Sequence, residues 1–308
     1  MKNIWLHRFC ILLAACTLLL VVAGGLVTSN DAGLSVPDWP LSYGKLMPPM
    51  VGGILYEHSH RMIATTIGLL TIILAVWLSR VERRRWLRRL GWIALAAVVA
   101  QGLLGGMTVI WMLPKPVSIA HACLAELFFS TTVAMALFTS RSWERGPQLV
   151  ADTPGLHGLV LAASLAVFVQ VVLGAAARHN AFGLIPHVVG AAVVAGTVLW
   201  AAFRILVSYP NHQALRKSAH TLLGFAMLQI LLGLAAYMSR VAYGRSTSLS
   251  PWPPDALQPM PVMVLFTVAH VAVGALTLAA SVLLAIQVFR HVPLRGGQLA
   301  PHRLPVTS

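Results

Sequence analysis

Apolar residues in this chain gather into eight runs of about 20 residues, separated by short polar stretches. They lie near 9–28, 60–80, 90–113, 117–139, 156–177, 185–207, 219–238 and 262–288. A helix rising about 1.5 Å per residue crosses a hydrocarbon layer of roughly 30 Å with such a run. The pattern predicts an all-α integral membrane protein with eight transmembrane helices. The first run is too long for a signal-peptide apolar region and shows no small-residue cleavage site, so it is expected to be retained.

The polar stretches give an orientation. One side collects the N-terminus (Lys2, Arg8) and the 80–89 loop (Arg80, Arg83, Arg84, Arg85, Arg88, Arg89). It also collects Arg141 and Arg145, then Arg204, Arg216 and Lys217, and finally Arg290, Arg295 and Arg303. The other side holds Lys45, Arg61, Lys115, Arg178, Arg240 and Arg245, a split of 16 against 6. Positive residues stay on the cytoplasmic face. Both termini are therefore expected in the cytoplasm, with the longer loops 29–58 and 239–261 outside. Composition agrees: 58% hydrophobic and 10% charged, against about 25% charged in soluble domains. The net charge of +14 is explained by loop arginines, which removes nucleic acid as an expected partner. Cys10, Cys16 and Cys123 all lie inside apolar runs, with no metal or disulfide spacing.

The two halves of the chain repeat. "QGLLG" at 101–105 matches "QILLG" at 229–233, and "VVAGGLVTSN" at 21–30 matches "VVLGAAARHN" at 171–180, at offsets of 128 and 150. A duplicated unit with an even number of spans runs parallel to its copy. The expected architecture is two pseudo-symmetric four-helix bundles, divided as 1–145 and 146–308.

Each even-numbered span carries a histidine near its outer end: His60, His121, His187 and His270. His60 pairs with His187 at an offset of 127, and His121 with His270 at 149, close to the offsets of the helical matches. Intramembrane histidines face bundle interiors and mark function. Two neutral imidazoles on facing helices can supply both axial ligands of one haem iron. Two haem sites near the outer face are expected, with all four histidines as iron ligands. Gly190 and Gly274, three and four residues past their histidines, are candidates for close approach of a macrocycle, or for plain helix packing. Arg61 and Arg178 at the outer rim are candidate propionate contacts. His58 is expected at the rim, His179 outside without a role, and His7, His157, His212, His220, His291 and His302 at the arginine-rich surface.

Glu57 precedes His60 by three residues and can share its helix face; the matching position before His187 is Leu184. One haem site would thus carry a carboxylate able to act as a base, and the other would only pass electrons. Glu126, five residues after His121, is a second intramembrane acid, a proton relay or a paired polar group. On these residues alone an enzyme and a di-haem electron carrier stand level, with a transporter behind them.

"GGLVTSNDAGLSVPDWPLSYGKLMPPM" (24–50) followed by "YEHSHRMIATTIGLL" (56–70) resembles the first outer loop and second helix of haem A synthase, the CtaA type. The resemblance extends through the spans and the four histidines, by pattern more than by motif in the second half. It implies oxidation of the C8 methyl of haem O to a formyl group, giving haem A for cytochrome oxidase. His60 and His121 would flank the iron of the haem O substrate, His187 and His270 would ligate a haem b cofactor, and Glu57 would be catalytic. Implied partners are the lipid bilayer of the cell inner membrane, haem O synthase and cytochrome oxidase assembly factors, with a homo-oligomer left open. The family's loop cysteine pair is missing: "SVPDWPLSYG" has Val36 and Ser42 where thiols would be expected. Thiol-mediated electron delivery through this loop is therefore not expected.

Overall fold

A segment in lipid must pair its backbone N–H and C=O groups within itself, and the eight apolar runs do so as α-helices. The computed structural model describes residues 4–248 and 259–293. Among these residues the order is α1 (Ile4–Ser29), α2 (Gly52–Val81), α3 (Arg85–Ile110), α4 (Lys115–Phe138), α5 (Arg141–Glu144), α6 (Leu156–Arg178), α7 (Leu184–Ser208), α8 (Gln213–Ser248) and α9 (Pro261–His291). All but the four-residue α5 are long and apolar enough to cross a membrane. Lys2, Arg295, Arg303, His302 and residues 249–258 of the second outer loop lie outside the described residues.

Several helices outrun the apolar runs that announced them. α2 starts at Gly52, not near 60, so Glu57 stands inside the helix and the first outer loop shortens to 30–51. α8 runs from Gln213 to Ser248, against an expected 219–238. Hydropathy reports contact with lipid, whereas the hydrogen-bond ladder of a helix continues into the polar rim at little cost.

Packing divides the spans into two closed rings. α1 lies against α2 and α4, and α3 completes the first ring between them; α6, α7, α8 and α9 repeat the arrangement. The rings meet where α9 packs on α1 and α4, and where α4 packs on α6. α2, α3, α7 and α8 pack against neighbours of their own ring and lie away from this junction.

Each ring is packed solid at its arginine-rich end. Leu13, Ile67, Leu74, Leu78, Leu87 and Met135 fill the first; Leu156, Ile205, Leu215, Leu222, Leu284 and Val288 fill the second. A smaller cluster of Val21, Phe129, Ala275 and Ala279 joins the halves. Two histidines expected at this surface are in fact buried: His212 and His291 lie 4.5 Å apart between ring centroids. The His212 ring is 3.1 Å from the Gln148 carbonyl through Nε2, and the backbone N–H of Gln148 donates to Nδ1 of His291 (2.9 Å). The pair pins the segment linking the two halves, which covers them from solvent.

Candidate functional site

The four span histidines sit on four equivalent helical hairpins. In each, the ring of a histidine on the second helix rests on a glycine of the first: His60 on Gly24, His121 on Gly105, His187 on Gly174 and His270 on Gly233. A Cβ on these glycines would come within 3.1, 3.2, 2.9 and 2.9 Å of the respective Cε1 atoms. Only glycine leaves room for an imidazole this close to a helix backbone. The seats were present in the repeated "GG", "QGLLG", "VVLGA" and "QILLG" segments; their partners could not be named without the rotation of each helix. Because α2 and α4 occupy opposite corners of the first ring, and α7 and α9 of the second, each ring receives two imidazoles at the end away from its solid core.

In the second ring the centroids of His187 and His270 are 6.1 Å apart, with the ring planes at 85°. Two imidazoles bonded to one metal at about 2 Å each place their ring centres roughly 6 Å apart. The pair therefore fits an iron held between them. In the first ring His60 and His121 are close enough to interact electrostatically, and the Nδ1 atom of each is buried without a partner.

A glutamine four residues before the glycine tunes three of the hairpins. Gln101 Nε2 donates to the His121 carbonyl (2.8 Å), and Gln170 Nε2 to the His187 carbonyl (2.7 Å), the latter lying 3.0 Å from Nδ1 of the same ring. His270 Nδ1 donates to the Gln229 backbone carbonyl (3.1 Å), which leaves Nε2 as the ring's lone-pair nitrogen, 3.3 Å from the Gln229 side-chain amide. The first hairpin has Leu20 in the glutamine's place. Gly190 and Gly274, weighed above as an approach surface for a macrocycle, are filled otherwise. A Cβ on Gly190 would collide with Gln170, and one on Gly274 would stand 3.2 Å from Gln229 Nε2. They are helix-packing glycines that admit the glutamines.

Glu57 is 4% exposed and bound on both oxygens. Oε2 accepts the Val36 N–H (2.8 Å), and Oε1 accepts from Arg61 Nη2 (2.6 Å). Arg61 also donates to the carbonyls of Asp38 (2.7 Å), Leu41 (2.8 Å) and Val36 (3.2 Å). Its guanidinium is thus spent on Glu57 and on the loop above. That loop, 30–51, bends across the outer ends of α2 and α3. The Trp39 indole lies on Gly106, next to the seat of His121, and Leu113 packs on Gly33. A tight turn at Tyr43 and Gly44, both with positive φ, is fixed by Asp38, which accepts both their N–H groups at 2.6 and 2.8 Å. These bonds, that of Gly44 foremost, hold the Asp38 carboxyl below its ordinary range.

His58 does not stand at an open rim. It is buried, and its Nδ1 lies 2.8 Å from the Ser42 hydroxyl of the same loop. Arg178 closes the seam between the rings, donating to the Gly25 carbonyl (3.1 Å) and the Ser29 hydroxyl (2.7 Å) of α1. His179 caps α6 just beyond the span, where burial pushes its imidazole below the ordinary value. Glu126 is buried with Oε2 unpartnered; its counterpart in the second half is Ala275, in the cluster that joins the rings. An apolar groove between α1 and α2, lined by Leu19, Ala23, Leu26, Tyr56, Ser59 and Ile63 among others, flanks the first site.

Known proteins place this arrangement. The family model described as COX15-CtaA, cytochrome oxidase assembly protein, matches residues 7–52 and 50–186. That region contains Glu57, His60, Arg61, His121 and Arg178, and stops short of His187 and His270. A heme A synthase of Symbiobacterium thermophilum is 32% identical over 173 residues, covering 54% of this chain and 56% of the relative. Those of Exiguobacterium sp. and Halalkalibacterium halodurans are 30% and 25% identical over 168 and 166 residues, each covering 53% of this chain and 54% and 55% of the relative. The chain thus spans about half the length of the curated relatives it matches. With the family model running through the first bundle and into the second, this protein belongs to the COX15-CtaA family of cytochrome oxidase assembly proteins.

Proposed function

We propose that this protein is a haem A synthase, oxidising the C8 methyl of haem O to a formyl group. The observation that carries this is the inequality of two otherwise equivalent histidine pairs. Among the described residues only the first has a buried carboxylate, Glu57, three residues from a ligand candidate and covered by a loop. Only the second has Nδ1 partners on both imidazoles. Such contacts fix both rings, and the bond that His270 donates to a carbonyl strengthens its ligation, as suits a resident cofactor. The unpartnered rings of the first pair suit a substrate that must leave.

His60 and His121 hold the haem O substrate in the first bundle, 1–145, and His187 and His270 hold haem b in the second, 146–308. Haem b, when bound, supplies a one-electron relay. Methyl plus one water becomes formyl with loss of four electrons and four protons. Glu57 stabilises the positive charge that develops at the oxidised methyl and takes a proton from the incoming water. A second such oxidation adds a second water to the hydroxymethyl and gives a geminal diol, which loses one water to leave the aldehyde, and the four electrons go to an external acceptor of the quinone class. Arg178, at the seam beside the second site, is the better placed of the two rim arginines to meet a propionate, since Arg61 already serves four acceptors. The arginine distribution supports both termini at the cytoplasmic side of the inner membrane. Haem O synthase and oxidase assembly factors are the corresponding partners.

The test is mass spectrometry of porphyrins extracted from wild-type protein and Glu57→Gln. Wild type is expected to yield haem b together with haem O, hydroxylated or formyl derivatives. Glu57→Gln is expected to keep haem b and haem O and to lose haem A. Haem b as the sole porphyrin in wild type would instead make the protein a di-haem electron carrier, and undiminished haem A in the variant would remove Glu57 from the chemistry.

A further inference from the structure

Both oxygens of Glu57 are positioned by something that is not its own helix ladder. One is held by the amide of Val36 in the outer loop, the other by Arg61, and Arg61 in turn grips three carbonyls of that loop. Val36 itself is fully buried, and the Ser42–His58 contact adds a second latch. Trp39 covers Gly106, one residue from the glycine under His121. The loop therefore spans the mouth of the first histidine pair from α2 to α3. Its fastening is a few hydrogen bonds and two apolar plugs, with no regular ladder beyond the Ser42–Lys45 bridge. The second pair has no such cover on the α6–α7 side, where only residues 179–183 join the helices.

We propose that the 30–51 loop is a lid over the first site, and that Arg61 is a positioning residue making Glu57 competent only while the lid is down. The assignment rests on the role of Glu57 as the base. Lifting the lid removes Val36 from one carboxylate oxygen and strips Arg61 of its three carbonyls, so the carboxylate loses its fixed orientation in the same motion that opens the mouth. Chemistry and exchange of a porphyrin-sized substrate are thereby kept apart in time. A forked guanidinium can hold carbonyls and carboxylate together; an ammonium cannot.

The experiment pairs hydrogen exchange over residues 33–42 with steady-state kinetics for wild type, Arg61→Gln, Arg61→Lys and Trp39→Ala, all carrying haem b as a check on folding. The Val36 amide is expected to exchange at least about tenfold faster in all three variants. Their kcat is expected to fall by up to about a hundredfold while KM stays within about twofold, as for a misplaced group. Arg61→Lys, which keeps the charge, should rescue neither readout. Unchanged exchange in Arg61→Gln would refute the clamp. Faster exchange with an unchanged kcat in Trp39→Ala would refute the coupling. If Glu57→Gln alone proved fully active while the exchange results held, the lid would stand and the role given to Glu57 would fall.

Discussion

Replacing Gly174 by alanine tests whether the glycine seats set the histidine geometry. The new Cβ would stand 2.9 Å from Cε1 and 3.3 Å from Nδ1 of His187, where ordinary contact begins at 3.4 Å. The ring must therefore retreat by about half an ångström. It cannot do so by carrying α7 along freely, because Gln170 is bonded to the His187 carbonyl at 2.7 Å. Overpacking of this kind costs about 1–3 kcal/mol. Charged against metal ligation, that is a loss of roughly 5- to 150-fold in haem affinity at the second site. Gly224→Ala in α8 is the control: nothing lies within 4 Å of its Cβ, and the substitution favours the helix by about 1 kcal/mol. The assay is titration of purified protein with haem, followed by the low-spin spectrum of bis-imidazole iron, with His187→Ala as the fully broken reference. Gly174→Ala binding haem with wild-type affinity and spectrum would refute the argument. Gly24 and Gly105, at 3.1 and 3.2 Å, should give weaker effects confined to the first site.

Two further outcomes follow from individual contacts. Gln170→Leu should cost about 10- to 100-fold in haem retention at the second site, read as the dissociation rate on dilution, because it removes the amide that holds the His187 carbonyl and ring, whereas Gln229→Leu, which keeps the backbone carbonyl that orients His270, should cost less. Asp38 has a depressed folded-state value, so its hold on the Tyr43–Gly44 turn is complete above the ordinary 3.8 and is lost as pH falls below it. Exchange at those two amides, corrected for its intrinsic pH dependence, should accelerate on acidification, and Asp38→Asn should flatten the response.

What the sequence could disclose depended on which physical constraint wrote it. Lipid contact demands continuous apolar runs, so the spans were legible; their ends were not, because the ladder of α2 or α8 does not stop where lipid stops. The histidines were legible because polar groups in a bilayer must face inward and a duplicated gene keeps its spacing. Their seats were visible only as repeated motifs. Knowing that Gly24 lies under His60, or that Gly190 faces Gln170, requires the relative rotation of two helices, which one-dimensional periodicity leaves free. His58, His212 and His291 were misplaced for a different reason. Each is buried by an irregular segment, 36–42 or 145–150, whose path no hydrophobic period encodes.

Under the proposed function, the duplicated scaffold accounts for a chain that holds two haems and changes only one. Four hairpins each bring an imidazole onto a glycine, so the ability to sandwich iron is inherited by both rings. Differences must then come from what duplication did not preserve. Leu20 stands where the other three hairpins have glutamine, Leu184 where the first ring has Glu57, and a five-residue connection where the first ring has a long loop. These departures act in one direction. They loosen the ligands of the first ring, place a carboxylate beside them, and cover the mouth with a segment that also orients that carboxylate. A resident cofactor needs tight, partnered ligands; a porphyrin that enters, reacts and leaves needs looser ligands and a cover that opens. The asymmetry therefore supports the roles proposed for the two rings more firmly than either histidine pair could alone.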